Sequence, residues 1–162
     1  MCYNAHYLHE VISLNTICKI CRKFIKRSPW IFHINTGSCN GCDIELVAAL
    51  TPRYDAERFG AILVGSPRHA DIIAITGPVT EQQRERLMRI YQQTPDPKVV
   101  IAIGTCTMAG SVFFESPVTR APLDKHIPVD VFVPGCPPRP EAILDGIIKA
   151  LQIYERKLAK QE

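Results

Sequence analysis

The chain has 162 residues, of which 46% are hydrophobic and 22% are charged, and these values are ordinary for one soluble globular domain with a buried core. The net charge of +3 is uneven, because residues 1–30 carry +4 and the rest sums to −1, so the body of the chain lacks the basic surface that nucleic acid requires. No apolar run has the length of a transmembrane span and no signal-peptide core follows the first methionine, so we expect the chain to remain in the cytoplasm.

The N-terminal segment has the pattern of a basic amphipathic helix. Apolar side chains recur at helical spacing over residues 8–27 with basic residues between them, and Ser28 and Pro29 end the pattern. We interpret residues 1–29 as a docking segment and residues 30–162 as the main domain. Such a helix suits either an anionic membrane surface or a partner protein, and both interpretations stay open.

The main domain alternates between strand and helix patterns. Its predicted elements are, in chain order, a strand at 30–35, a helix at 42–50, strands at 61–64 and 71–76, a helix at 80–93, strands at 99–103 and 129–133, and a helix that begins at Pro140. This alternation predicts an α/β fold in which helices flank a parallel sheet.

Four of the seven cysteines follow predicted strands. Cys39 and Cys42 come after the first strand, Cys106 follows the strand at 99–103, and Cys136 follows the strand at 129–133. Because functional loops gather at the carboxyl ends of parallel strands, we expect these thiols to converge. Four thiolates form a soft site that suits an iron–sulfur cluster or zinc.

The residues around these cysteines favour the cluster. A cluster with thiolate ligands carries negative charge and needs backbone N–H donors close to its sulfur atoms. Glycines let the backbone approach the sulfur atoms. Five glycines stand near the cysteines in the sequence: Gly37, Gly41, Gly104, Gly110 and Gly135. A thioredoxin-like dithiol or half of a zinc site remains the alternative for Cys39 and Cys42.

Four stretches carry a close resemblance to one family: Cys39-Asn40-Gly41-Cys42-Asp43-Ile44-Glu45, Ser66-Pro67-Arg68-His69-Ala70-Asp71, Thr76-Gly77-Pro78-Val79-Thr80 and Pro134-Gly135-Cys136-Pro137-Pro138-Arg139-Pro140. They resemble the small, cluster-bearing subunit shared by membrane-bound energy-converting [NiFe] hydrogenases and respiratory complex I. The resemblance covers about residues 28–155. The first motif has the C-x-G-C form typical of [NiFe] hydrogenases, whereas complex I subunits carry two adjacent cysteines there.

The resemblance implies a flavodoxin-like domain with one proximal [4Fe–4S] cluster on Cys39, Cys42, Cys106 and Cys136. It implies a [NiFe] large subunit, a ferredoxin-like multi-cluster subunit and antiporter-like membrane subunits as partners, with the complex at the cytoplasmic face of the membrane. The chain itself would relay electrons without a catalytic group, for H2 production or oxidation coupled to ion pumping. The alternative is an equivalent relay in a nickel-free, complex I-like quinone or sulfur-compound oxidoreductase.

Other residues have a functional and a structural interpretation. The family position of Arg68 implies a hydrogen-bond donor near the cluster that raises its potential, and the alternative is a salt bridge, for instance to Asp71. We expect His69 to be structural. Glu45 stabilises the start of a helix or, alternatively, belongs to a proton path or a subunit contact. Cys18 and Cys21 form a second C-x-x-C, which we interpret as small apolar residues of the N-terminal helix.

Overall fold

The computed structural model of the chain describes residues 29–114 and 116–160. The predicted helix at 8–27, with Cys18 and Cys21, lies outside the described residues. The described helices and strands are, in chain order, β1 (Trp30–Asn35), α1 (Gly41–Leu50), β2 (Ile62–Leu63), β3 (Ile72–Thr76), α2 (Glu81–Gln93), β4 (Val99–Ile103), α3 (Thr105–Ala109), β5 (Val131–Val133) and α4 (Pro140–Ala159). Short 3₁₀ turns occupy Ala56–Phe59, Pro67–His69, Ser111–Phe113 and Leu123–Lys125.

The five strands form one sheet in the order β2-β1-β3-β4-β5, and every neighbouring pair is parallel. This is the strand order of flavodoxin-like folds, in which ligands bind at the carboxyl ends of the strands. The predicted α/β fold with a parallel sheet is therefore confirmed. Because all strands run the same way, the loops that follow β1, β3, β4 and β5 leave from one edge of the sheet.

Apolar side chains cover both faces of the sheet. Along β3, Ile72 and Ala74 join the core beneath α1 and α4, whereas Ile73 and Ile75 join the core beneath α2. Successive residues of a strand point to opposite faces, so a strand that is buried on both sides must be apolar throughout. The helices thus pack on both faces of the sheet, and the loops at the strand ends are not part of either core.

Two predicted strands are shorter than the sequence pattern suggested. The strand predicted at 61–64 is limited to Ile62–Leu63, at the edge of the sheet, and the strand predicted at 129–133 begins only at Val131. The structure also contains α3, which follows β4 directly and was not predicted. Five residues give too short a pattern for helical periodicity to emerge.

Gly146 lets α4 approach the sheet closely. A Cβ atom at this position would lie 2.4 Å from Cγ2 of Val133, which is a buried residue of β5. Valine is stiff at χ1, so its methyl group has no easy way to move aside. The absence of a side chain at position 146 therefore sets the distance between the helix and the strand that leads to Cys136.

Asp43 joins α1 to the ends of β1 and β3. One of its carboxylate oxygens accepts hydrogen bonds from Asn35 (2.7 Å) and Ser38. The other accepts from Thr76 and lies 2.9 Å from Nε2 of His33. These partners come from β1, from β3 and from the loop between β1 and α1. Asp43 therefore fixes the first turn of α1 against the sheet edge.

We predict that Gly146→Ala destabilises the protein by about 1–2 kcal/mol. Alanine is the better helix former, but the clash with Val133 has the energy of an overpacked core and outweighs that gain. Urea unfolding measures the difference. Gly65→Ala is the matched control, because a Cβ there meets no atom within 4 Å, and it should leave stability nearly unchanged. Equal effects of the two changes would contradict the close-approach argument.

We predict that Asp43→Asn costs about 2 kcal/mol of unfolding free energy, since hydrogen bonds to a charged group are worth more than neutral ones and the amide accepts through only one atom. The measurement is urea unfolding of the purified chain in anaerobic, reducing buffer. Glu45→Gln is the control, because Glu45 lies on the same helix and its side chain makes no hydrogen bond to another described residue. This change should be close to neutral. A control loss as large as that of Asp43→Asn would show that helix charge, not the network, matters.

Candidate metal centre

The four predicted thiols lie on three loops at the carboxyl edge of the sheet. Cys39 stands in the loop between β1 and α1, and Cys42 lies in the first turn of α1. Cys106 is the second residue of α3, directly after β4, and Cys136 lies three residues beyond the end of β5. Strand order separates the first loop from the second by β3, so the β3 loop must lie between them.

Two backbone carbonyls connect these loops. The Gly77 carbonyl, in the β3 loop, accepts hydrogen bonds from the hydroxyls of Thr36 (3.0 Å) and Thr107 (3.1 Å). The Gly135 carbonyl accepts from the backbone N–H of Thr105 (2.9 Å) and from its hydroxyl (3.0 Å). The loop before Cys39, the helix of Cys106 and the loop of Cys136 are therefore held to one another in the folded protein.

The structure brings the four thiols together. The Cys106, Cys39 and Cys136 side chains all act electrostatically on Cys42, and Cys136 and Cys39 act in the same way on Cys106. Cys42 is buried and Cys106 is half-buried, whereas Cys39 and Cys136 are exposed. The group is thus closed toward the sheet and open on its outer side.

Burial and crowding make these thiols hard to ionise without a cation. Burial, followed by the neighbouring groups Cys106, Cys39, Asp43 and Cys136, raises the pKa of Cys42 to about 11. The pKa of Cys106 is raised by burial and by Cys136 and Cys39, and a hydrogen bond from Ser111 partly offsets this. Four thiolates at this place therefore require a positively charged partner, and bound metal supplies it because metal deprotonates a coordinating thiol outright.

A set of four thiolates can hold zinc or an iron–sulfur cluster. Tetrahedral zinc with Zn–S bonds of about 2.3 Å needs its ligand sulfurs about 3.8 Å apart. Within residues 29–114 and 116–160, no three or more Cys, His, Asp or Glu side chains are arranged to hold a single ion. An iron–sulfur cluster, whose thiolates attach to different iron atoms, fits this donor set.

Gly104 provides the closest backbone approach to a thiol. Its φ is +92°, a conformation that side chains disfavour, and a Cβ there would lie 2.6 Å from Sγ of Cys42. The space beside the buried thiol is therefore available only because residue 104 has no side chain. Gly135 is constrained as well, since a Cβ would lie 2.4 Å from Cα of Pro138.

Two more of the predicted glycines, Gly41 and Gly37, have different surroundings. A Cβ on Gly41 would be in ordinary contact with Sγ of Cys39, at 3.6 Å, so this glycine borders the thiols. A Cβ on Gly37 would meet the Thr80 methyl group at 2.5 Å, so this glycine allows the loop to pack on the start of α2. Gly37 therefore shapes the loop rather than facing a thiol.

Arg68 lies toward the opposite edge of the sheet. It is exposed on the 3₁₀ turn that precedes β3, and the next residue, His69, has a ring contact with Trp30 at the start of β1. Asp71 does not pair with Arg68, because its carboxylate accepts from the Trp30 N–H (3.0 Å) and from the Tyr154 hydroxyl (2.6 Å). This location gives no support to direct donation from Arg68 to a thiol, and its role stays a prediction.

Sequence reasoning missed two polar residues near the thiols. Ser111 acts to lower the pKa of Cys106, and Asp43 places a carboxylate next to Cys42. Burial opposes ionisation of Asp43, but hydrogen bonds from Ser38 and Thr76, together with His33, hold the pKa of Asp43 below its usual value. Asp43 stood in a recognised motif, whereas no spacing rule points from Cys106 to Ser111.

Comparison with known proteins connects this site to one family. The family model described as NADH ubiquinone oxidoreductase, 20 Kd subunit, matches residues 39–150, a stretch that contains all four thiols. The probable membrane-bound hydrogenase subunit mbhJ of Pyrococcus furiosus is 71% identical over 144 residues, which are 89% of this chain and 83% of that protein. Formate hydrogenlyase subunit 7 of Escherichia coli is 47% identical over 136 residues, which are 84% of this chain and 53% of that protein.

A solved structure agrees in sequence and fold. One chain of the membrane-bound sulfane sulfur reductase, an archaeal respiratory membrane complex, is 41% identical with a TM-score of 0.73, over 85% of this chain and 76% of that one. In the described part of the present chain, no helix combines the length and apolar character needed to cross a membrane. The chain belongs to the family of the 20 Kd subunit of NADH ubiquinone oxidoreductase, the iron–sulfur cluster-binding subunits of hydrogenases and complex I.

Proposed function

We propose that this chain binds one [4Fe–4S] cluster through Cys39, Cys42, Cys106 and Cys136 and relays electrons within a membrane-bound [NiFe] hydrogenase. The convergence of four thiols from three loops at one open edge of the sheet carries this proposal. When bound, the cluster supplies a one-electron couple. The electrons pass between a ferredoxin-like multi-cluster subunit and the [NiFe] large subunit, for H2 production or oxidation coupled to ion pumping by antiporter-like membrane subunits.

In this proposal the protein supplies position and environment rather than a catalytic group. Cys42 and Cys106 anchor the inner side, and Cys39 and Cys136 complete the ligand set on the outer side. Gly104 keeps the space beside Cys42 open, and Gly41 and Gly135 let the flanking loops come close. The Gly135 carbonyl, bonded by Thr105, keeps the last two ligand loops in register.

Exposed apolar side chains near the thiols support a protein partner at this edge. Ile44 and Val47 on α1 are 66% and 58% exposed, and Val112 and Phe114, which follow α3, are 88% and 66% exposed. These residues flank Cys42 and Cys106 in the chain. Large apolar side chains grouped on a surface mark interaction sites. We place the large subunit here, over the 37–45 and 136–139 segments, and the complex at the cytoplasmic face of the membrane.

A nickel-free relay is the second candidate. The structural similarity to a chain of a sulfane sulfur reductase supports it, because a similar domain belongs to a complex of that description. The hydrogenase assignment has the stronger sequence support, at 71% identity to a probable hydrogenase subunit and with the C-x-G-C spacing of Cys39 and Cys42. We therefore place the hydrogenase function first.

Metal analysis of the purified complex distinguishes these functions. The complex is captured anaerobically through a tag on this chain and assayed for iron, acid-labile sulfide and nickel, and for H2 evolution from a reduced one-electron donor. Nickel together with H2 evolution supports the hydrogenase relay. Iron and sulfide without nickel, combined with reduction of a sulfur compound, supports the second candidate. Zinc without sulfide on this chain would overturn both.

We predict that Cys106→Ala removes the cluster or leaves it incomplete, because a soft four-thiolate site has no ready substitute for a missing thiolate. The low-temperature EPR signal of the reduced complex, together with iron and sulfide content, measures the loss. Cys18→Ala serves as the control, because Cys18 belongs to the N-terminal segment rather than to the three ligand loops, and its signal should be unchanged. An unaltered signal in Cys106→Ala would refute the ligand assignment.

A further inference from the structure

One side chain organises the loop that carries Cys39 and Cys42. Asn35 is the last residue of β1 and is partly buried where the strand ends. Its side-chain oxygen Oδ1 accepts hydrogen bonds from the backbone N–H groups of Gly37 and Ser38, both at 2.8 Å. These two bonds fix the direction in which the chain leaves β1, directly before the first candidate ligand.

The nitrogen of the same amide bonds three side chains farther along the loop. It donates to Oγ of Ser38 (2.8 Å), Oδ1 of Asn40 (3.2 Å) and Oδ2 of Asp43 (2.7 Å). Ser38 and Asn40 flank Cys39, and Asp43 follows Cys42. One amide therefore bonds to a chain neighbour of each thiol in this loop, and it uses both its donor and its acceptor atom to do so.

The turn between the two cysteines has a conformation that must be held. Asn40 has a left-handed backbone with φ +67°, which costs a residue with a Cβ free energy. Its N–H donates to Oγ of Ser38 (3.1 Å), and its carbonyl accepts from the N–H of Ile44 (3.0 Å) at the start of α1. The contact with Asn35 adds a third bond to this strained residue.

The first ligand loop differs in this respect from the other two. The loops of Cys106 and Cys136 are joined through the Gly135 carbonyl, which no substitution removes. The turn between Cys39 and Cys42 is instead organised by side chains, and Asn35 is the one that contacts its beginning, middle and end. A change at this position therefore reaches the loop without altering a thiol.

We propose that Asn35 is a positioning residue that holds the loop of Cys39 and Cys42 in the arrangement that binds the cluster, and thereby keeps the cluster bound. The inference rests on the proposed function, in which both cysteines are ligands. A loop that is ordered beforehand loses less conformational freedom when its ligands bind, so its order contributes to affinity. Residues that hold ligands in place commonly contribute about tenfold or more to metal affinity.

The experiment measures how long the cluster is retained in the complex captured anaerobically through a tag on this chain. The cluster is identified by low-temperature EPR of the reduced complex, as the signal that Cys106→Ala removes, and its decay is followed after addition of a ferrous-iron chelator. Asn35→Ala removes all five contacts. Asn35→Asp keeps the shape and the two accepting bonds but loses the donor and faces Asp43 with a second carboxylate. This second variant preserves the start of the loop and keeps the test available where Asn35→Ala does not assemble.

We expect the signal to decay on the order of tenfold faster in both variants than in the wild type. We also expect broader EPR lines, because the loop then adopts more than one arrangement around the cluster. Tyr154→Phe is the matched control, since it also removes a side-chain hydrogen bond, from the Tyr154 hydroxyl to Asp71 (2.6 Å), but at the opposite edge of the sheet. An equally fast decay in Tyr154→Phe would overturn the inference, because general destabilisation would then explain the loss.

Exchange of two side chains separates hydrogen bonding from charge. Asn35→Asp combined with Asp43→Asn again places one amide and one carboxylate opposite each other, as the 2.7 Å contact of the wild type does. We expect this double variant to retain the signal longer than Asn35→Asp alone, because neighbouring sites that share a bond are not additive. Equal decay rates in the two would overturn the account based on hydrogen bonds.

Failure of the inference and failure of the proposed function give different results. If both Asn35 variants retain the cluster with the decay rate and line width of the wild type, Asn35 has no positioning role, while the proposed function stands. If Cys106→Ala removes no signal and the wild-type chain holds no iron and sulfide, the proposed function fails and the role of Asn35 fails with it.

Discussion

The carbonyl groups of Gly77 and Gly135 hold three separate loops in a fixed relation, and the candidate site depends on this more than on any single cysteine. Burial and crowding oppose negative charge on Cys42 and Cys106, so the thiols do not hold themselves together. The hydrogen bonds from Thr107 to one carbonyl and from Thr105 to the other involve neutral groups. They therefore keep the loops together whether or not a metal is bound, and they prepare the site for a cofactor.

Asp43 has two opposite effects at the site: it stabilises the arrangement of the loops, and it disfavours negative charge on a neighbouring thiol. Its carboxylate holds α1 to the ends of β1 and β3, and its charge makes ionisation of the adjacent Cys42 harder. A neutral residue would avoid that conflict but would lose the charge-assisted hydrogen bonds. In the proposed cluster, the Asp43 carboxylate disfavours added negative charge on the neighbouring ligand.

The sequence predicted the sheet and the location of the thiols because both depend on strong, long patterns. The apolar runs at 71–76 and 99–103 are buried on both faces in the structure, and parallel strands bring whatever follows them to one edge. The short elements were missed or overextended, because tertiary packing rather than local pattern decides whether five residues form α3 or whether β2 continues past Leu63.

Arg68 and Ser111 show opposite limits of sequence reasoning. The role of Arg68 stays a prediction from a motif, and a motif does not say where the side chain points; the turn that holds this residue precedes β3. Ser111 belongs to no motif, and its left-handed backbone conformation is one that only coordinates reveal. A residue near a cofactor is identified by where the chain turns back, and this depends on φ angles that residue type alone does not determine.

The chain is an electron-transfer subunit of the membrane-bound hydrogenase and complex I-like family, and its relatives serve complexes with different overall reactions. This breadth follows from the physics of a relay. The strands and loops fix where the electron resides, and nearby charges and donors fix its energy, but neither requires contact with the final acceptor. In the proposed function, a change of partner at the apolar edge near Ile44 and Phe114, with a small adjustment of potential, would place a similar domain in another reaction. Under that proposal the reaction resides in the partner, and this chain contributes a position and a potential.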